Sequence, residues 1–168
     1  MTTVFRQLSA EEEPAGYQVI CDTVAWLKRK DIKLWQQPLA RSVYAARQQR
    51  GENYGLFMRG TLAVIVSLVR GVPEYWAAEA GTRDAVWLCT LATAENFHGC
   101  GAGRVAVEQA LAHLAARGER EVWLDCAPGF LDQLYLALGF ARVCRDVKAI
   151  PHAGGVFEAV LMRKTLAP

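Results

Sequence analysis

Three glycines at alternate positions form the stretch of this sequence best suited to bind a charged group. They lie in His98-Gly99-Cys100-Gly101-Ala102-Gly103-Arg104, between an apolar run over residues 85–93 and an amphipathic helix. The first N–H groups of a helix have no intrahelical acceptor, and the helix dipole adds partial positive charge there. Because glycine has no Cβ, an anion can approach the backbone closely. The segment therefore predicts a phosphate-binding turn.

Other phosphate-binding patterns do not fit this turn. The loop of the nucleotide triphosphatases ends in Gly-Lys-Ser/Thr, whereas Arg104 follows Gly103 here. A dinucleotide fingerprint, G-x-G-x-x-G, counted from Gly99 or Gly101 would need a glycine at Arg104 or Ala106. A purely structural turn, which only lets a helix and a strand pack closely, remains an open alternative.

The composition is that of a globular protein. The chain has 168 residues, of which 52% are hydrophobic and 21% charged, enough for one sizeable core. A net charge of +2 argues against a general nucleic-acid-binding protein. No apolar run approaches the roughly 20 residues of a transmembrane helix. Neither nucleic acid nor a membrane is therefore expected as a partner.

The cysteines and histidines do not suggest a metal site. No two cysteines have C-x-x-C spacing and the histidines are scattered, so we expect no metal. The cysteines are dispersed and odd in number, which fits reduced thiols. The N-terminus lacks a signal-peptide pattern, so a cytoplasmic location is expected. Cys100 differs from the others because its place in the glycine turn predicts exposure. The five cysteines are Cys21, Cys89, Cys100, Cys126 and Cys144.

Hydrophobic periodicity predicts strands and helices in a mixed order. Strand, helix, strand, helix in the middle implies parallel pairing, and hairpins towards the ends imply antiparallel pairing. The irregular segment over residues 70–84 can be functional or poorly ordered. Strands are predicted over residues 3–8, 54–58, 61–68, 86–93, 121–126, 140–150 and 156–164, and helices over residues 14–30, 38–50, 103–117 and 130–138.

Two local signatures within this order resemble the GNAT superfamily, the N-acetyltransferases that use acetyl-coenzyme A. The spacing His98-x-x-Gly101-x-Gly103 is similar to the family's pyrophosphate loop, and Leu134-Tyr135-Leu136-Ala137-Leu138-Gly139-Phe140 looks like the end of its last helix. The resemblance spans nearly the whole chain. It implies an α/β (α+β) fold, a mixed, mostly antiparallel sheet of six to seven strands flanked by about four helices. It also implies a single domain over residues 1–168.

The resemblance implies acetyl-coenzyme A as the cofactor, together with residues that bind it. Strand 86–93 is expected to diverge from strand 121–126 and to offer its backbone to the pantetheine arm, as in an added strand. An N–H near Leu91 would polarise the thioester carbonyl, and the amides of the turn would hold the pyrophosphate. The implied binding residues are Leu91, Ala92, Thr93, His98, Gly99, Cys100, Gly101, Ala102, Gly103 and Arg104.

The sequence departs from the family pattern at two places. His98 stands where arginine or glutamine is usual, so the backbone amides and Arg104 would carry more of the phosphate binding. The segment Ala127-Pro128-Gly129-Phe130 lacks the asparagine that many members carry before the last helix. A polar contact to the pantetheine arm is therefore left unassigned.

Tyr135 matches the family tyrosine that faces the thiol sulfur, which implies a general acid for the leaving thiolate. A purely structural role beside Leu131 and Leu138 remains open. The general base is not identified, because strand 86–93 contains no acidic residue. The acidic residues nearest in sequence are Glu79, Asp84, Glu95 and Asp125.

In this family the acceptor is bound by the first two helices and the long loops. Aromatic and acidic side chains there would suit a cationic amine, so we expect a small-molecule primary amine. Acetylation of protein amines and a catalytically silent acyl-coenzyme A binding module are the alternatives. Strand 156–164 is expected to lie at a sheet edge, where a homodimer could form. The side chains considered for the acceptor are Asp22, Trp26, Trp35, Tyr44, Tyr54, Glu74, Tyr75 and Trp76.

Overall fold

The protein is described by a computed structural model that covers residues 2–81, 83–152 and 155–167. Its helices and strands alternate along the chain, with two short 3-10 helices at Glu74–Trp76 and Glu95–Phe97. The helices are α1 (Glu13–Arg29), α2 (Arg41–Gln49), α3 (Ala77–Ala80), α4 (Ala102–Ala116) and α5 (Phe130–Ala137). The strands are β1 (Thr3–Gln7), β2 (Asn53–Met58), β3 (Thr61–Arg70), β4 (Val86–Thr93), β5 (Glu121–Cys126), β6 (Ala141–Arg142), β7 (Lys148–His152) and β8 (Gly155–Thr165).

The strands lie in the order β1-β2-β3-β4-β5-β8-β6, and β7 pairs with β8. Every pairing is antiparallel except that of β4 with β5. The predicted mixed, mostly antiparallel fold is therefore confirmed. The described residues form eight strands and five helices instead of the six to seven and about four expected. The added helix is α3, and the added strand arises where the predicted strand 140–150 is divided.

Both faces of the sheet are covered. Val107 and Leu111 of α4 pack on one face, together with apolar residues of α5. Ile20 of α1 and Tyr44 of α2 pack on the other face, against Ile65 of β3. Because helices cover it on both sides, β3 is buried over residues 63–68, as its β-branched, apolar sequence predicts.

The strand predicted over residues 140–150 is wrong in its middle. β6 pairs only Ala141 and Arg142 with β8, and pairing resumes at Lys148. Residues 143–147 are exposed or half-buried without alternation. They therefore lack the buried face that would hold a strand on the sheet.

The C-terminal strand is not an open edge. β8 pairs with β5 on one side and with β6 and β7 on the other. The expectation of a free edge over residues 156–164 is therefore wrong, and it no longer supports a homodimer. Part of the predicted connection before β8, residues 153–154, lies outside the described residues.

The segment between β3 and β4 is held against β7. Lys148 Nζ donates to Tyr75 O at 2.7 Å and to Glu79 Oε1 at 2.9 Å. It also lies 5.0 Å from the centroid of the Trp76 ring, and Trp76 is fully buried. The segment is therefore ordered over its described residues, which exclude residue 82.

Three further observations concern anchors and ligands. No described helix is long and apolar enough to cross a membrane. The described residues contain no group of three or more histidine, cysteine or acidic side chains able to hold a metal. All five cysteines are free thiols, and Cys100 is exposed as predicted.

Candidate functional site

A cleft opens between β4 and β5, as expected from the resemblance. The two parallel strands pair only at Val86 with Val122 and at Trp87 with Trp123. Beyond these pairs β4 is bulged, because its register with β3 shifts between Ile65 and Ser67. Such a bulge bends the strand and increases its twist, which carries the rest of β4 away from β5.

The residue at the bulge, Thr90, has a backbone conformation that is rare for its type. Its φ is +55°, a left-handed value that is strained for a β-branched residue. Arg47 of α2 donates from Nη1 to Thr90 Oγ1 at 2.8 Å. A side chain from the neighbouring layer therefore contacts the strained residue directly.

The backbone of β4 beyond the bulge faces the cleft at alternate residues. The Ala94 N–H donates to Ala63 O at 2.8 Å, and Ala92 pairs with Ile65. Backbone groups alternate between the two edges of a strand, so those of Leu91 and Thr93 point towards the cleft. The backbone groups of Ala92 point towards β3 instead, so they do not face the cleft as those of the predicted binding residues Leu91 and Thr93 do.

The glycine turn lies between β4 and α4, as predicted. Gly99 and Gly101 have φ values of +74° and +78°. A Cβ built on either would meet nothing within 4 Å, so the outer side of the turn is open. Gly101 is the N-cap of α4, so the N–H groups of Ala102, Gly103 and Arg104 lie in the first helical turn, where intrahelical acceptors are missing. An open turn lined by N–H donors fits a pyrophosphate group.

Substitutions at Gly101 and Gly103 should have different effects on stability. Gly101→Ala should lower the free energy of unfolding by about 1 kcal/mol, because its left-handed φ is costly for residues with a Cβ. Gly103→Ala should not, because its Cβ would only contact Thr93 Oγ1 at 3.4 Å and alanine favours helix. Urea unfolding of both variants measures the difference; equal losses would contradict it.

His98 does not point out of the turn. Its Nε2 lies 2.8 Å from Thr93 O, and its ring meets Trp26 edge to face at 4.5 Å. Nδ1 is buried without a hydrogen-bond partner among the described residues. Since a carbonyl only accepts, Nε2 carries the proton in this arrangement. A phosphate contact from His98 stays a prediction, and it would require the ring to leave Thr93.

The other two side chains of the turn are at the surface. Cys100 Sγ lies 3.0 Å from Phe97 O, and Arg104 Nε donates to Glu108 Oε1 at 3.0 Å. The Arg104 pair is one turn apart on an exposed helix face, where such pairs contribute little stability. The Arg104 guanidinium can therefore leave Glu108 and bind another anion at little cost in stability.

Tyr135 projects from α5 into the core beside the cleft. It is 5% exposed, and its ring meets Phe140 edge to face at 5.6 Å. Burial raises the pKa of Tyr135, and the nearby Cys126 and Asp125 raise it further. A phenol with a raised pKa keeps its proton at neutral pH, which suits a proton donor.

The start of α5 is fixed by a buried carboxylate. Asp132 is fully buried; its Oδ1 accepts from the Gly129 N–H at 2.7 Å and its Oδ2 pairs with Arg142. The Arg142 guanidinium lowers the pKa of Asp132, so the carboxylate stays charged at neutral pH. The helix that carries Tyr135 is thereby tied to β6.

Of the four acidic residues considered for the base, three pair with a basic side chain. Glu79 pairs with Lys148 at 2.9 Å, Glu95 with Arg29 at 2.8 Å, and Asp84 with Arg70 at 3.5 Å. Each is at the surface, so none is placed to accept a proton in the cleft.

Asp125 lies in a less exposed position than these three. It is half-buried on β5, one residue before the strand ends. Its Oδ2 accepts from Trp76 Nε1 at 2.8 Å, and its charge acts on both Tyr75 and Tyr135. The sequence signal was weak: Asp125 lies near the end of a strand between two apolar residues, Leu124 and Cys126.

The aromatic side chains considered for the acceptor are not gathered in one place. Tyr44, Tyr54 and Trp76 are buried in three different clusters of the core. Trp26 packs on His98 instead. These four rings are therefore not gathered around one cationic acceptor. Trp35 and Tyr75 are half-buried. Trp35 packs against the cluster that contains Tyr44, and Tyr75 lies near Asp125.

Comparison with known proteins agrees with this geometry. The model of the acetyltransferase (GNAT) family matches residues 20–140. A comparison with curated proteins finds no significant sequence match.

Solved structures match over nearly the whole chain. The ribosomal-protein-S18-alanine N-acetyltransferase of Escherichia coli is 21% identical, with a TM-score of 0.71 over 99% of this chain and 96% of that one. A GNAT-family acetyltransferase from Streptococcus agalactiae is 15% identical, with a TM-score of 0.79 over 99% and 96%. A chain of the NatC complex bound to Gag peptide and CoA is 16% identical, with a TM-score of 0.68 over 99% and 100%. These likenesses show the fold, and the family match covers more than half of the chain. The chain therefore belongs to the acetyltransferase (GNAT) family and is an acetyltransferase that uses acetyl-coenzyme A.

Proposed function

We propose that the protein moves the acetyl group of acetyl-coenzyme A directly to a primary amine, with Tyr135 as general acid and Asp125 as general base. The observation that carries the proposal is the pair of side chains at the β4–β5 cleft. Asp125 lies two residues beyond Trp123, the last residue of β5 that pairs with β4, on the face of Trp76. Tyr135 packs on the opposite face, in the same cluster as Cys126. We therefore place a proton donor and a proton acceptor on the two sides of one opening in the sheet.

Acetyl-coenzyme A supplies an acetyl group activated as a thioester. The amides of Ala102, Gly103 and Arg104 would hold its pyrophosphate, and the outward backbone groups of Leu91 and Thr93 would bind its pantetheine arm. Thr93 O already accepts from His98 Nε2 at 2.8 Å and from Thr23 Oγ1 at 3.4 Å. Because a carbonyl has two lone pairs, a donor on the pantetheine arm would replace the longer of these two bonds, the one from Thr23.

The cationic amine loses two protons in the proposed reaction. Asp125 takes up the first before attack and later releases it to solvent. The neutral nitrogen then forms a bond to the acetyl carbon and the carbon–sulfur bond breaks. Tyr135 Oη donates its proton to the leaving sulfur, and the resulting phenolate takes up the second proton from the nitrogen. Trp76 Nε1, hydrogen-bonded to Asp125, holds the carboxylate in place.

We propose a small-molecule primary amine as the acceptor. The carboxylate of Asp125 would attract its protonated, cationic form and then take up its proton. A second candidate is the amine of a protein. Two similar structures are named for proteins or peptides, the E. coli ribosomal-protein-S18-alanine N-acetyltransferase and the NatC complex bound to Gag peptide. We also propose that residues 1–168 form one domain and that the protein is cytoplasmic, in keeping with its free thiols.

A panel of amines tests the function. Purified protein is incubated with acetyl-coenzyme A and monoamines, diamines, amino acids, or peptides with a free or blocked N-terminus. Products are detected by mass spectrometry, because the exposed Cys100 would consume thiol-specific dyes. An acetylated small amine supports the proposal, and product from peptides alone favours the second candidate. Binding of acetyl-coenzyme A with no product from any amine would contradict both and favour a silent binding module.

A further inference from the structure

We infer that the acceptor carries a carboxylate in addition to its amine, and that Arg47 binds this carboxylate. The inference rests on the proposed function, because it names the class of amine that the same site takes. The carrying observation is a half-buried guanidinium that has no carboxylate partner and lies at the bulge of β4.

The position of Arg47 is fixed by its contact with the cleft strand. Its Nη1 donates to Thr90 Oγ1 at 2.8 Å, so its head group lies where β4 diverges from β5. Its positive charge also reaches the half-buried Tyr75 and Cys89, because it lowers the pKa of both side chains against the effect of burial. These residues lie on the sheet face covered by α2 and the Glu74–Trp76 segment, opposite the face where α4 and Tyr135 pack.

Arg47 differs from the other arginines in its surroundings. Most of them pair with a carboxylate, and Arg47 has no such pair among the described residues. A guanidinium removed partly from water without a counter-charge is costly. Four other arginines likewise show no carboxylate partner within the described part of the chain, and all four are exposed to solvent: Arg59, Arg117, Arg120 and Arg145.

The unused hydrogen-bonding capacity of Arg47 matches a carboxylate. A guanidinium has five N–H donors in a planar fork, and only the one to Thr90 is used within the described residues. The fork binds the two oxygens of a carboxylate side by side. One guanidinium also balances the single charge of a carboxylate, whereas a phosphate dianion would need a second cation.

The sheet face that carries Arg47 also carries a negative charge, that of Asp125, which can attract the amine. Tyr75 interacts with both groups, since the charge of Asp125 raises its pKa and that of Arg47 lowers it. The site therefore presents a carboxylate and a guanidinium around one phenol ring. An acceptor with both an amine and a carboxylate satisfies both charges, whereas a simple polyamine leaves Arg47 unpaired and adds a repelling cation.

Matched amines that differ only in the carboxylate test this inference. We compare kcat/KM for phenylalanine with phenethylamine, methionine with 3-(methylthio)propylamine, and lysine with cadaverine. The wild type should prefer the carboxylated member by about 10- to 100-fold, the usual effect of a hydrogen-bonded charge. Arg47→Met should remove this preference, mainly by raising KM for the carboxylated member, and Arg47→Lys should keep part of it.

Two controls distinguish recognition of the carboxylate by Arg47 from a structural role of Arg47 at the bulge. Thr90→Val removes the hydroxyl but keeps the guanidinium and the β-branched shape, so the preference ratio should persist. Phe-Asp amide and Phe-Asn amide distinguish a carboxylate on a peptide from that of a free amino acid. Equal losses for both members of a pair in Arg47→Met, or no preference in the wild type, would overturn the inference.

Failure of the proposed function gives a different result. If no amine is acetylated, a binding measurement without catalysis tests the carboxylate site. N-acetylphenylalanine should then raise the melting temperature of the wild type but not of Arg47→Met, and N-acetylphenethylamine should raise neither. Equal shifts from the two compounds, or none from either, would overturn the carboxylate site.

Discussion

Replacement of Tyr135 by phenylalanine is expected to lower kcat by about 100-fold or more, the usual contribution of a positioned proton donor. Acetyl-coenzyme A affinity should change little, because the ring and its contact with Phe140 are retained. Steady-state kinetics and calorimetric titration with acetyl-coenzyme A measure the two quantities separately. Loss of the donor alone therefore appears in kcat and not in binding.

Tyr44→Phe is the matched control for this variant. The Tyr44 hydroxyl is buried without a hydrogen-bond partner among the described residues, so its removal should leave kcat unchanged. Stability should stay the same or rise, because an unsatisfied buried hydroxyl costs free energy. If Tyr135→Phe kept kcat within about threefold of the wild type, a range well below that of general acids, Tyr135 would be a core residue only.

The second large effect is expected from Asp125→Asn. The amide keeps the size of the side chain and an oxygen that can accept from Trp76 Nε1, but it cannot take up a proton. We expect kcat/KM at neutral pH to fall by about 100-fold. The deficit should shrink as the pH rises towards the pKa of the amine, because the neutral amine then needs no base. A pH profile of kcat/KM for both proteins measures this convergence.

Glu95→Gln provides the comparison for Asp125→Asn. Glu95 lies just after β4 but pairs with Arg29 at the surface, so the kcat/KM of Glu95→Gln should match that of the wild type. A constant deficit of Asp125→Asn across the pH range would indicate a structural effect and not a lost base. Equal losses in the two variants would point to general sensitivity of the cleft to charge.

The features that the sequence predicted correctly are encoded locally. The glycine turn follows from the spacing of Gly99, Gly101 and Gly103, and α4 follows from its apolar period. The parallel neighbours β4 and β5 follow from the strand–helix–strand order. Each depends on residues within one or two elements, so a single sequence carries the signal.

The features that the sequence did not predict depend on contacts between distant elements. Asp125 resembles any acidic residue of an alternating strand until Trp76, 49 residues earlier, is seen to bond it. The bulge at Thr90 has no propensity signal, since threonine rarely adopts its φ of +55°. Burial of Tyr44 and Trp76 likewise reflects packing across layers, which composition alone does not reveal.

β4 and β5 are joined by two residue pairs, and this junction also lies between the N-terminal and the C-terminal strands of the chain. The strands before it, β1 to β4, and the strands after it, β5 to β8, form two consecutive halves that meet in the sheet only at Val86–Val122 and Trp87–Trp123. Each half completes its own ladders without the other. The two halves nevertheless share one core, because the same apolar cluster contains Val86 and Leu88 of the first half and Val122 and Leu124 of the second. Side-chain packing under the cleft, more than strand pairing, therefore joins the two halves.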